Sequence, residues 1–338
     1  MQIQENISLK PFNTFGIPVY ARYFAPFANL LQLQEAYQFA MDHSLAVCIL
    51  GGGSNILFTQ DFNGLVLKNE LAGIECIQED SSHYYVRSAA GVNWHKLVMY
   101  CIENNYAGLE NLALIPGNVG ASPIQNIGAY GVELKEVFYT LEAYQIEKKK
   151  VVIFNLEACK FGYRDSIFKS KHKGKYVILS VTFKLDKTPR FNTSYGAITK
   201  ELERMQVDEC SIKAIAQAVI NIRLSKLPNP AVIGNAGSFF KNPTIPEAQF
   251  TALQQSHPGM VGYPTSNDMM KVAAGWLIEQ CGWKGYRKGD AGCHKDQALV
   301  LVNYGHAQGI DIYTLSTEIM HSVETKFGIL LEREVNVL

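Results

Sequence analysis

The chain has 338 residues, of which 47% are hydrophobic and 18% charged, so it is long enough to form two or three domains with ordinary globular cores. Its 31 Lys and Arg residues balance its 31 Asp and Glu residues, which excludes the strongly basic surface of a nucleic-acid-binding protein. Any anionic ligand must therefore be held by local groups.

The cysteines and the N-terminal residues give no sign of export, metal binding or membrane insertion. The seven cysteines are scattered and odd in number, with no CxxC pair and no histidine spaced for zinc, so we expect reduced thiols. The first residues show no basic leader followed by an apolar region, and no apolar run approaches the roughly 18 residues of a membrane span. We expect a soluble cytoplasmic protein without a metal.

The first predicted elements lead into a glycine loop. Helical spacing of apolar residues predicts a helix over Leu30–His43, and an apolar run predicts a strand over Ala46–Leu50. This strand runs directly into the first glycine loop, Gly51–Asn55, whose backbone N–H groups could face a phosphate. Neither Rossmann G-x-G-x-x-G spacing nor a P-loop lysine accompanies it. No helix is predicted to follow it either, because the chain turns into another strand over Leu65–Asn69. The loop is either a phosphate-facing loop of a non-Rossmann fold or a plain β-turn.

A second glycine-rich stretch, Ile115–Gly131 (IPGNVGASPIQNIGAYG), is here called the central loop. Its four glycines and two prolines rule out an ordinary helix, and it contains no charged residue. We expect such a loop to lie against the protein through Ile115, Val119, Ile124 and Ile127 and to present backbone N–H groups inward, as a cofactor cradle would. A buried loop that packs two domains together is the alternative.

The remaining pattern favours an α+β fold, because strands follow one another with few helices between them. The predicted strands are Tyr84–Gly91, Val137–Gln145, Val151–Asn155, Tyr176–Lys184, Ala298–Asn303 and Ile329–Leu338; the predicted helices are Asn93–Asn105, Ile212–Leu224, Met269–Cys281 and Ile312–Phe327. Two prolines within Lys226–Pro230 indicate a domain junction. The basic clusters Lys148–Lys150 and Lys169–Lys175 are typical of solvated hairpin tips.

Three polar clusters outside the regular elements could carry chemistry. Arg164, in a YRDS segment, has a planar guanidinium suited to a substrate carboxylate, although a local ion pair is the simpler interpretation. Ser238 stands between a glycine and two phenylalanines, either as a hydroxyl in a tight pocket or as a turn residue. Glu332 and Glu334 are two apart on a predicted strand and would share one face, which could also be merely exposed.

Six motifs run nearly end to end through the chain. They are NTFGI at Asn13, GGGSN at Gly51, IPGNVGASPIQNIGAYG at Ile115, YRDS at Tyr163, GNAGSFFKNP at Gly234 and LEREV at Leu331. In this order they resemble UDP-N-acetylenolpyruvoylglucosamine reductases, the flavin enzymes that make UDP-N-acetylmuramic acid for bacterial peptidoglycan. The segment Thr193–Gly196 also resembles the tyrosine loop of the type I members.

The resemblance implies a three-domain α+β protein with an FAD-binding fold of the vanillyl-alcohol oxidase/PCMH type. Residues 1–70 with 329–338 would form the first FAD-binding subdomain, residues 71–211 the second, and residues 212–328 a substrate-binding domain. The FAD would be non-covalent, since neither glycine loop offers a histidine or cysteine for attachment. It would be held by Gly51, Gly52, Gly53, Ser54, Asn55, Ile115, Pro116, Gly117, Gly120, Ala121, Ser122, Ile127 and Gly131.

The resemblance also implies a two-step reaction in which NADPH reduces FAD and is then replaced by enolpyruvyl-UDP-N-acetylglucosamine. Hydride addition to C3 builds negative charge at C2 and on the carboxylate, so an enolate must be stabilised and protonated. Arg164 would stabilise it, Glu334 would assist as a hydrogen-bonding partner when at least partly protonated, and Ser238 would protonate C2. The substrate or NADPH would be held by Tyr163, Tyr195, Lys226, Asn242, Lys284 and Gln297.

Two alternatives belong to other functional classes. A flavin oxidase of the same wider fold would pass electrons to oxygen, and it would give Ser238 and Glu334 no role. A non-catalytic nucleotide-sugar-binding protein would use the glycine loops for UDP alone and would lack flavin absorbance. The sequence predicts no protein partner.

Overall fold

The computed structural model describes residues 2–265 and 267–338, which form two compact units. The first unit contains the residues up to 7 together with 21–52 and 63–225, and the second contains 8–20, 53–62 and 226–338. One boundary between units falls inside the first glycine loop, between Gly52 and Gly53. Another falls between Ser225 and Lys226, beside the proline-rich segment.

The regular elements are short strands interspersed with helices. Up to residue 103 they are β1 Gln4–Ser8, β2 Tyr20–Phe27, α1 Leu30–Asp42, β3 Ala46–Leu50, β4 Ile56–Leu57, β5 Phe62–Asn69, β6 Ile74–Glu79, β7 His83–Ala89 and α2 Trp94–Glu103. Up to residue 226 they are β8 Gly128–Ala129, β9 Val132–Glu133, β10 Phe138–Gln145, β11 Lys150–Asn155, α3 Leu156–Cys159, β12 Tyr176–Asp186, α4 Gly196–Arg204 and α5 Ile212–Lys226. The last group is β13 Gly234–Ser238, β14 Thr244–Pro246, α6 Glu247–Ser256, β15 Gly262–Pro264, β16 Met269–Val272, α7 Ala274–Gln280, β17 Arg287–Lys288, β18 Ala291–Cys293, β19 Val300–Asn303, α8 Gly309–Phe327 and β20 Asn336–Val337.

The first unit contains a small sheet that delivers the chain into the first glycine loop. Its strand order is β1-β2-β5-β3, and β3 pairs in parallel with β5. Helix α1 packs on it through Leu33, Ala36 and Ala40, all of which are buried. Asn29 caps α1 by accepting a hydrogen bond from the Gln32 N–H at 2.9 Å. The loop therefore begins at the end of a supported strand.

The first unit also contains a five-stranded sheet, ordered β11-β10-β12-β7-β6, whose neighbouring strands are all antiparallel. Its apolar face packs with α2 and α5 around Trp94 and Phe183, which meet edge to face at 5.8 Å. Burial of each such side chain contributes about 1.5–3 kcal/mol. The Trp94 indole N–H donates to the Leu112 carbonyl at 2.8 Å, which attaches the segment before the central loop to this core.

The second unit contains a sheet ordered β13-β19-β18-β17 and a smaller one ordered β14-β16-β15. Helix α8 buries Ile312, Ile319 and Val323 in the core of this unit. At its start, a Cβ on Gly309 would lie 1.7 Å from the Phe58 carbonyl oxygen, so only glycine fits there. The chain ends by pairing β20 in parallel with β4.

Most predicted elements are confirmed, several to within two residues, but two predictions are wrong. The predicted helix Met269–Cys281 is strand β16 followed by helix α7, because β16 is the middle strand of its sheet and pairing overrides the helical spacing. The predicted strand Ile329–Leu338 is regular only over Asn336–Val337. It changes partners, from an isolated bridge between Arg333 and Phe240 to the pairing with β4, and that change interrupts the strand.

The two basic clusters lie in exposed turns. Lys148–Lys150 forms the tip of the β10–β11 hairpin, as predicted. Lys169–Lys175 is a turn that leads into β12 and is mostly exposed. Among residues 2–265 and 267–338, no helix is both long and apolar enough to cross a membrane.

Candidate active site

The central loop is irregular, as predicted, and lies partly in the core of the first unit. It contains a single 3-10 turn at Val119–Ala121, and Gly117 has a φ of 110° that favours glycine. Val119 and Ile127 are buried, whereas Ile124 is 38% exposed, so the prediction that all four aliphatic side chains pack inward is wrong for Ile124. The loop is thus anchored by Val119 in its first half and by Ile127 in its second half.

The central loop touches the start of the first glycine loop. A Cβ on Gly52 would lie 2.9 Å from the Gly117 Cα, and a Cβ on Gly51 would lie 3.5 Å from the Asn118 Cβ. The Lys68 ammonium donates to the Gly51 carbonyl at 2.6 Å, which fixes this turn from β5. At Gly52 the two uncharged segments thus approach each other more closely than a side chain would allow. Such a cradle of glycines fits a dinucleotide phosphate, so these residues fit FAD.

The YRDS segment packs against the far half of the central loop. The Arg164 Nη2 donates to the Gly128 carbonyl at 2.7 Å, and the Ser166 hydroxyl donates to the Ile124 carbonyl at 2.7 Å. The Arg164 guanidinium also lies 5.7 Å from the ring centre of Tyr163. Arg164 adopts a φ of 52°, a left-handed conformation that is costly for a side-chain-bearing residue. The predicted anion-binding arginine is thus held beside the predicted flavin loop.

The tyrosine loop lies at the end of the central loop. Tyr195 is 49% exposed and precedes helix α4, and its ring meets that of Tyr130 edge to face at 5.3 Å. The Asn192 amide donates to the Gly131 carbonyl at 3.1 Å, which joins the two loops. The structure therefore brings Tyr195 together with the central loop, as a binding role for its exposed ring requires.

In the second unit, backbone hydrogen bonds bring the segments of Ser238 and Glu334 together. The Phe239 N–H donates to the Leu299 carbonyl and the Glu334 N–H donates to the Phe239 carbonyl, both at 2.8 Å. Phe239 and the next residue, Phe240, are buried, which leaves Ser238 exposed at the edge of this core. Glu334 is therefore paired through its backbone with Phe239, the residue that follows Ser238.

The same unit connects two further motifs to this pairing. The Asn235 N–H donates to the Thr14 carbonyl, and the Thr14 N–H donates to the Gly53 carbonyl, each at 3.0 Å. The Asn55 amide donates to the Glu334 carbonyl at 3.3 Å. NTFGI, the end of GGGSN, GNAGS and LEREV thus form one connected group.

Glu332 and Glu334 differ in their surroundings. Glu332 is exposed and forms an ion pair with Lys241, whereas Glu334 is half-buried. Between them, the Arg333 guanidinium donates to Ser316 Oγ at 2.7 Å and Thr317 Oγ1 at 2.6 Å on α8. The arginine thus fixes the segment to the helix.

Two of the predicted substrate contacts meet at the start of α7. The Asn242 Oδ1 accepts a hydrogen bond from the Ala274 N–H at 3.0 Å, and the Gln297 Oε1 lies 3.4 Å from the position of a Cβ on Gly275. The other two second-unit candidates lie elsewhere. Lys226 is exposed at the end of α5, and Lys284 forms an ion pair with Glu279 at 3.0 Å.

The sequence analysis missed two polar residues that hold the central loop. The Leu114 N–H donates to His95 Nδ1 at 3.1 Å, and the Arg223 Nε donates to the Leu114 carbonyl at 3.2 Å. Burial lowers the pKa of Arg223, and burial followed by the charge of Arg223 lowers the pKa of His95. The sequence contains one signal of the role of Arg223, because this charged residue interrupts the apolar pattern of helix α5.

Comparisons with known proteins identify the domains and the fold of this chain. Residues 21–146 match a family model described as an FAD binding domain, and residues 229–338 match the C-terminal domain of UDP-N-acetylenolpyruvoylglucosamine reductase. The reductase of this name from Thermus caldophilus has a solved structure with a TM-score of 0.68 and 23% identity, and the alignment covers 100% of this chain and 99% of that one. These matches confirm the predicted α+β, FAD-binding fold.

Full-length relatives extend the match to the whole chain. The UDP-N-acetylenolpyruvoylglucosamine reductase of Amoebophilus asiaticus is 53% identical over 338 residues, which is all of both chains. The reductase of the same name from Flavobacterium johnsoniae is 48% identical over 339 residues, again all of both chains. The chain therefore belongs to the UDP-N-acetylenolpyruvoylglucosamine reductase family of FAD-dependent oxidoreductases.

Proposed function

We propose that this chain uses NADPH and bound FAD to reduce enolpyruvyl-UDP-N-acetylglucosamine to UDP-N-acetylmuramate for peptidoglycan synthesis, in the cytoplasm, where NADPH and UDP-sugars are available. The observation that carries the proposal is the backbone hydrogen bond from the Glu334 N–H to the carbonyl of Phe239, which holds the segment of a half-buried carboxyl beside the residue that follows the exposed Ser238. This arrangement supports proton transfer to a substrate carbanion.

The cofactor would be held by the two glycine loops. The close approach of Gly52 to Gly117 leaves no room for a side chain at this point, which suits a backbone-lined site for the FAD diphosphate. We also assign cofactor contacts to Ser54, Asn55 and the remainder of the central loop. When bound, FAD accepts reducing equivalents from NADPH and supplies the hydride that C3 of the enolpyruvyl group receives.

Arg164 would bind the carboxylate of the enolpyruvyl group. Hydride addition at C3 moves negative charge to C2 and into that carboxylate, so a fixed guanidinium stabilises the product of this step more than the substrate. The bond from Arg164 to the Gly128 carbonyl and the neighbouring Tyr163 ring support this role, because they limit the positions of the side chain before substrate binds.

Ser238 would complete the reaction by giving its hydroxyl proton to C2. A serine is a weak acid, but an enolate is a strong base, and placement matters more than pKa in such a transfer. Glu334, in its protonated form, would donate a hydrogen bond to the same carboxylate group or to the developing enolate. Its backbone is held by Phe239 and by the Asn55 amide, which supports a fixed position for the carboxyl group.

The UDP portion and the NADPH phosphates would be bound away from the reacting carbon. Tyr195 offers an exposed ring and hydroxyl, while Asn242 and Gln297 offer amides near the start of α7. Lys226 and Lys284 would supply positive charge for the diphosphate. Such remote contacts raise affinity and orient the substrate.

Stepwise anaerobic reduction tests this function against both alternatives. NADPH should bleach the flavin absorbance of the purified protein, and enolpyruvyl-UDP-N-acetylglucosamine should restore it without oxygen and yield UDP-N-acetylmuramate. Recovery only after oxygen is admitted would identify an oxidase. A colourless protein that binds UDP-sugars would identify a binding protein.

A further inference from the structure

Leu114, the residue immediately before the central loop, is held from two sides. Its φ of 57° is left-handed, which costs a leucine roughly 1–2 kcal/mol. Its N–H donates to the His95 Nδ1 of α2, and its carbonyl accepts from the Arg223 Nε of α5. Two side chains from different helices therefore stabilise one strained residue, Leu114, at the entrance to the loop.

The start of α2 also holds the chain on both sides of Leu114. The Trp94 indole N–H donates to the Leu112 carbonyl at 2.8 Å, and the Trp94 backbone N–H donates to the Gly117 carbonyl at 2.9 Å. Leu112 is fully buried, so water does not compete for the first of these hydrogen bonds. Leu114 lies between the two anchors, and its conformation sets the path by which the chain reaches Gly117.

Arg223 interacts with residues at both ends of the central loop. Its Nε donates to the Leu114 carbonyl, and its charge interacts with Tyr130, the last residue but one of the loop. Tyr130 is also left-handed, with a φ of 50°. One guanidinium thus acts on the residue before the loop and on a residue near its end.

We propose that His95 and Arg223 are positioning residues that clamp Leu114 and hold the central loop in the form that receives FAD. This inference rests on the proposed function, in which the central loop forms part of the wall around the flavin. Neither residue needs to touch the reacting atoms. His95 acts through Leu114, and Arg223 acts through Leu114 and Tyr130.

The clamp makes flavin affinity depend on the protonation of His95. Nδ1 can accept the Leu114 N–H only while the imidazole is neutral, and protonation would also place a second positive charge beside Arg223. Burial and the Arg223 charge lower the pKa of His95 in the clamped form. The other titratable or charged groups near this pair are Tyr130 on the central loop and Arg164 of the YRDS segment, whose charges both act on Arg223, and Lys96, which follows His95 on α2.

The sign of the pH effect follows from linkage. In a relaxed loop the pKa of His95 returns towards about 6.5, above its value in the clamped form. Where the loop relaxes in the absence of FAD, binding below about pH 6.5 therefore releases a proton, and affinity falls by up to about tenfold per pH unit until the lowered pKa is reached. Above that range the clamp is intact, and His95 contributes no pH dependence.

Flavin titration of apoprotein variants over this pH range tests the role of His95. The amide oxygen of His95→Gln can still accept the Leu114 N–H, so we expect FAD affinity within about 10-fold of the parent at neutral pH and loss of the acid-dependent decline. His95→Leu leaves the N–H unsatisfied and should weaken binding by about 5- to 100-fold at every pH. His43→Gln, at the end of α1, is the matched control and should keep the parent's pH dependence.

Arg223→Lys tests the second half of the clamp. The lysine keeps the charge but lacks the planar guanidinium whose Nε reaches the Leu114 carbonyl, so backbone amides 115–131 should exchange hydrogen faster in the FAD-bound variant than in the parent. Arg190→Lys, at an exposed arginine of the same unit, should leave this exchange unchanged.

The outcomes separate this inference from the function on which it rests. The clamp is refuted if His95→Gln keeps the parent's acid-dependent decline, or if Arg223→Lys matches the parent in amide exchange. Should His95→Leu fail to fold, the comparison of His95→Gln with the parent still decides. If FAD protects no amide of residues 115–131 in the parent, the proposed flavin wall is wrong instead, even where the anaerobic reduction succeeds.

Discussion

At the scale of single residues, the side chains proposed to act are placed mainly by the backbone around them. Ser238 precedes Phe239, whose N–H and carbonyl bind Leu299 and Glu334 on opposite sides. Tyr195 is likewise placed by its position before α4 and by the ring of Tyr130. Replacing one functional group should therefore alter chemistry or binding with little effect on folding.

Tyr195→Phe should mainly raise KM. The ring contact with Tyr130 survives this change, and only the hydroxyl is lost, so we expect KM for the UDP-sugar to rise by about 2- to 12-fold, as the loss of one hydrogen bond implies, while kcat stays within about twofold. Steady-state kinetics measure both constants. Tyr139→Phe, at an exposed tyrosine of β10, is the control. A fall in kcat as large as that of a Ser238 variant would contradict a binding role.

At the scale of elements, the two glycine loops should tolerate no added carbon at their point of contact. In Gly52→Ala the new Cβ would lie 2.9 Å from the Gly117 Cα. This is a backbone atom, which cannot rotate away as the end of a flexible side chain can. Overpacking of this kind costs about 1–3 kcal/mol, so FAD should bind about 5- to 150-fold more weakly. Flavin fluorescence measures the affinity, and an unchanged dissociation constant would show that the contact is not part of the cofactor site.

Gly259→Ala is the matched control for that change. Its Cβ would lie 3.9 Å from the Trp276 ring, an ordinary contact, and Gly259 is exposed. This variant should bind FAD as the parent does. Thermal unfolding of both apoproteins shows whether any loss at Gly52 arises from misfolding.

The elements that could be predicted are those set by local pattern. Both end residues of strand β3 are predicted correctly, because an apolar run ends at consecutive glycines. The sequence analysis failed where distant pairing decides, as in β16, which lies between two other strands. His95 and Arg223 were missed for a similar reason, since only tertiary packing brings α2 and α5 to Leu114.

At the scale of the whole molecule, local pattern predicted no more than an α+β protein with uncharged glycine loops. The order of the six motifs identified the family, and backbone contacts explain why those motifs are spread so widely. NTFGI and LEREV lie far apart in sequence but both reach the group around Gly53 and Asn55. The division into three domains with boundaries at residues 70, 211 and 328 remains a proposal.

The central claim is that one chain carries out two reductions with different needs, and that only the second requires a proton from Ser238. Rapid-mixing absorbance of Ser238→Ala, with the two half-reactions measured separately, tests it most directly. Reduction of the flavin by NADPH should proceed at nearly the parent rate. Reoxidation by enolpyruvyl-UDP-N-acetylglucosamine should slow by about 10²- to 10⁴-fold, as is typical when a general acid is lost. Equal slowing of both steps, or no change in either, would contradict the account.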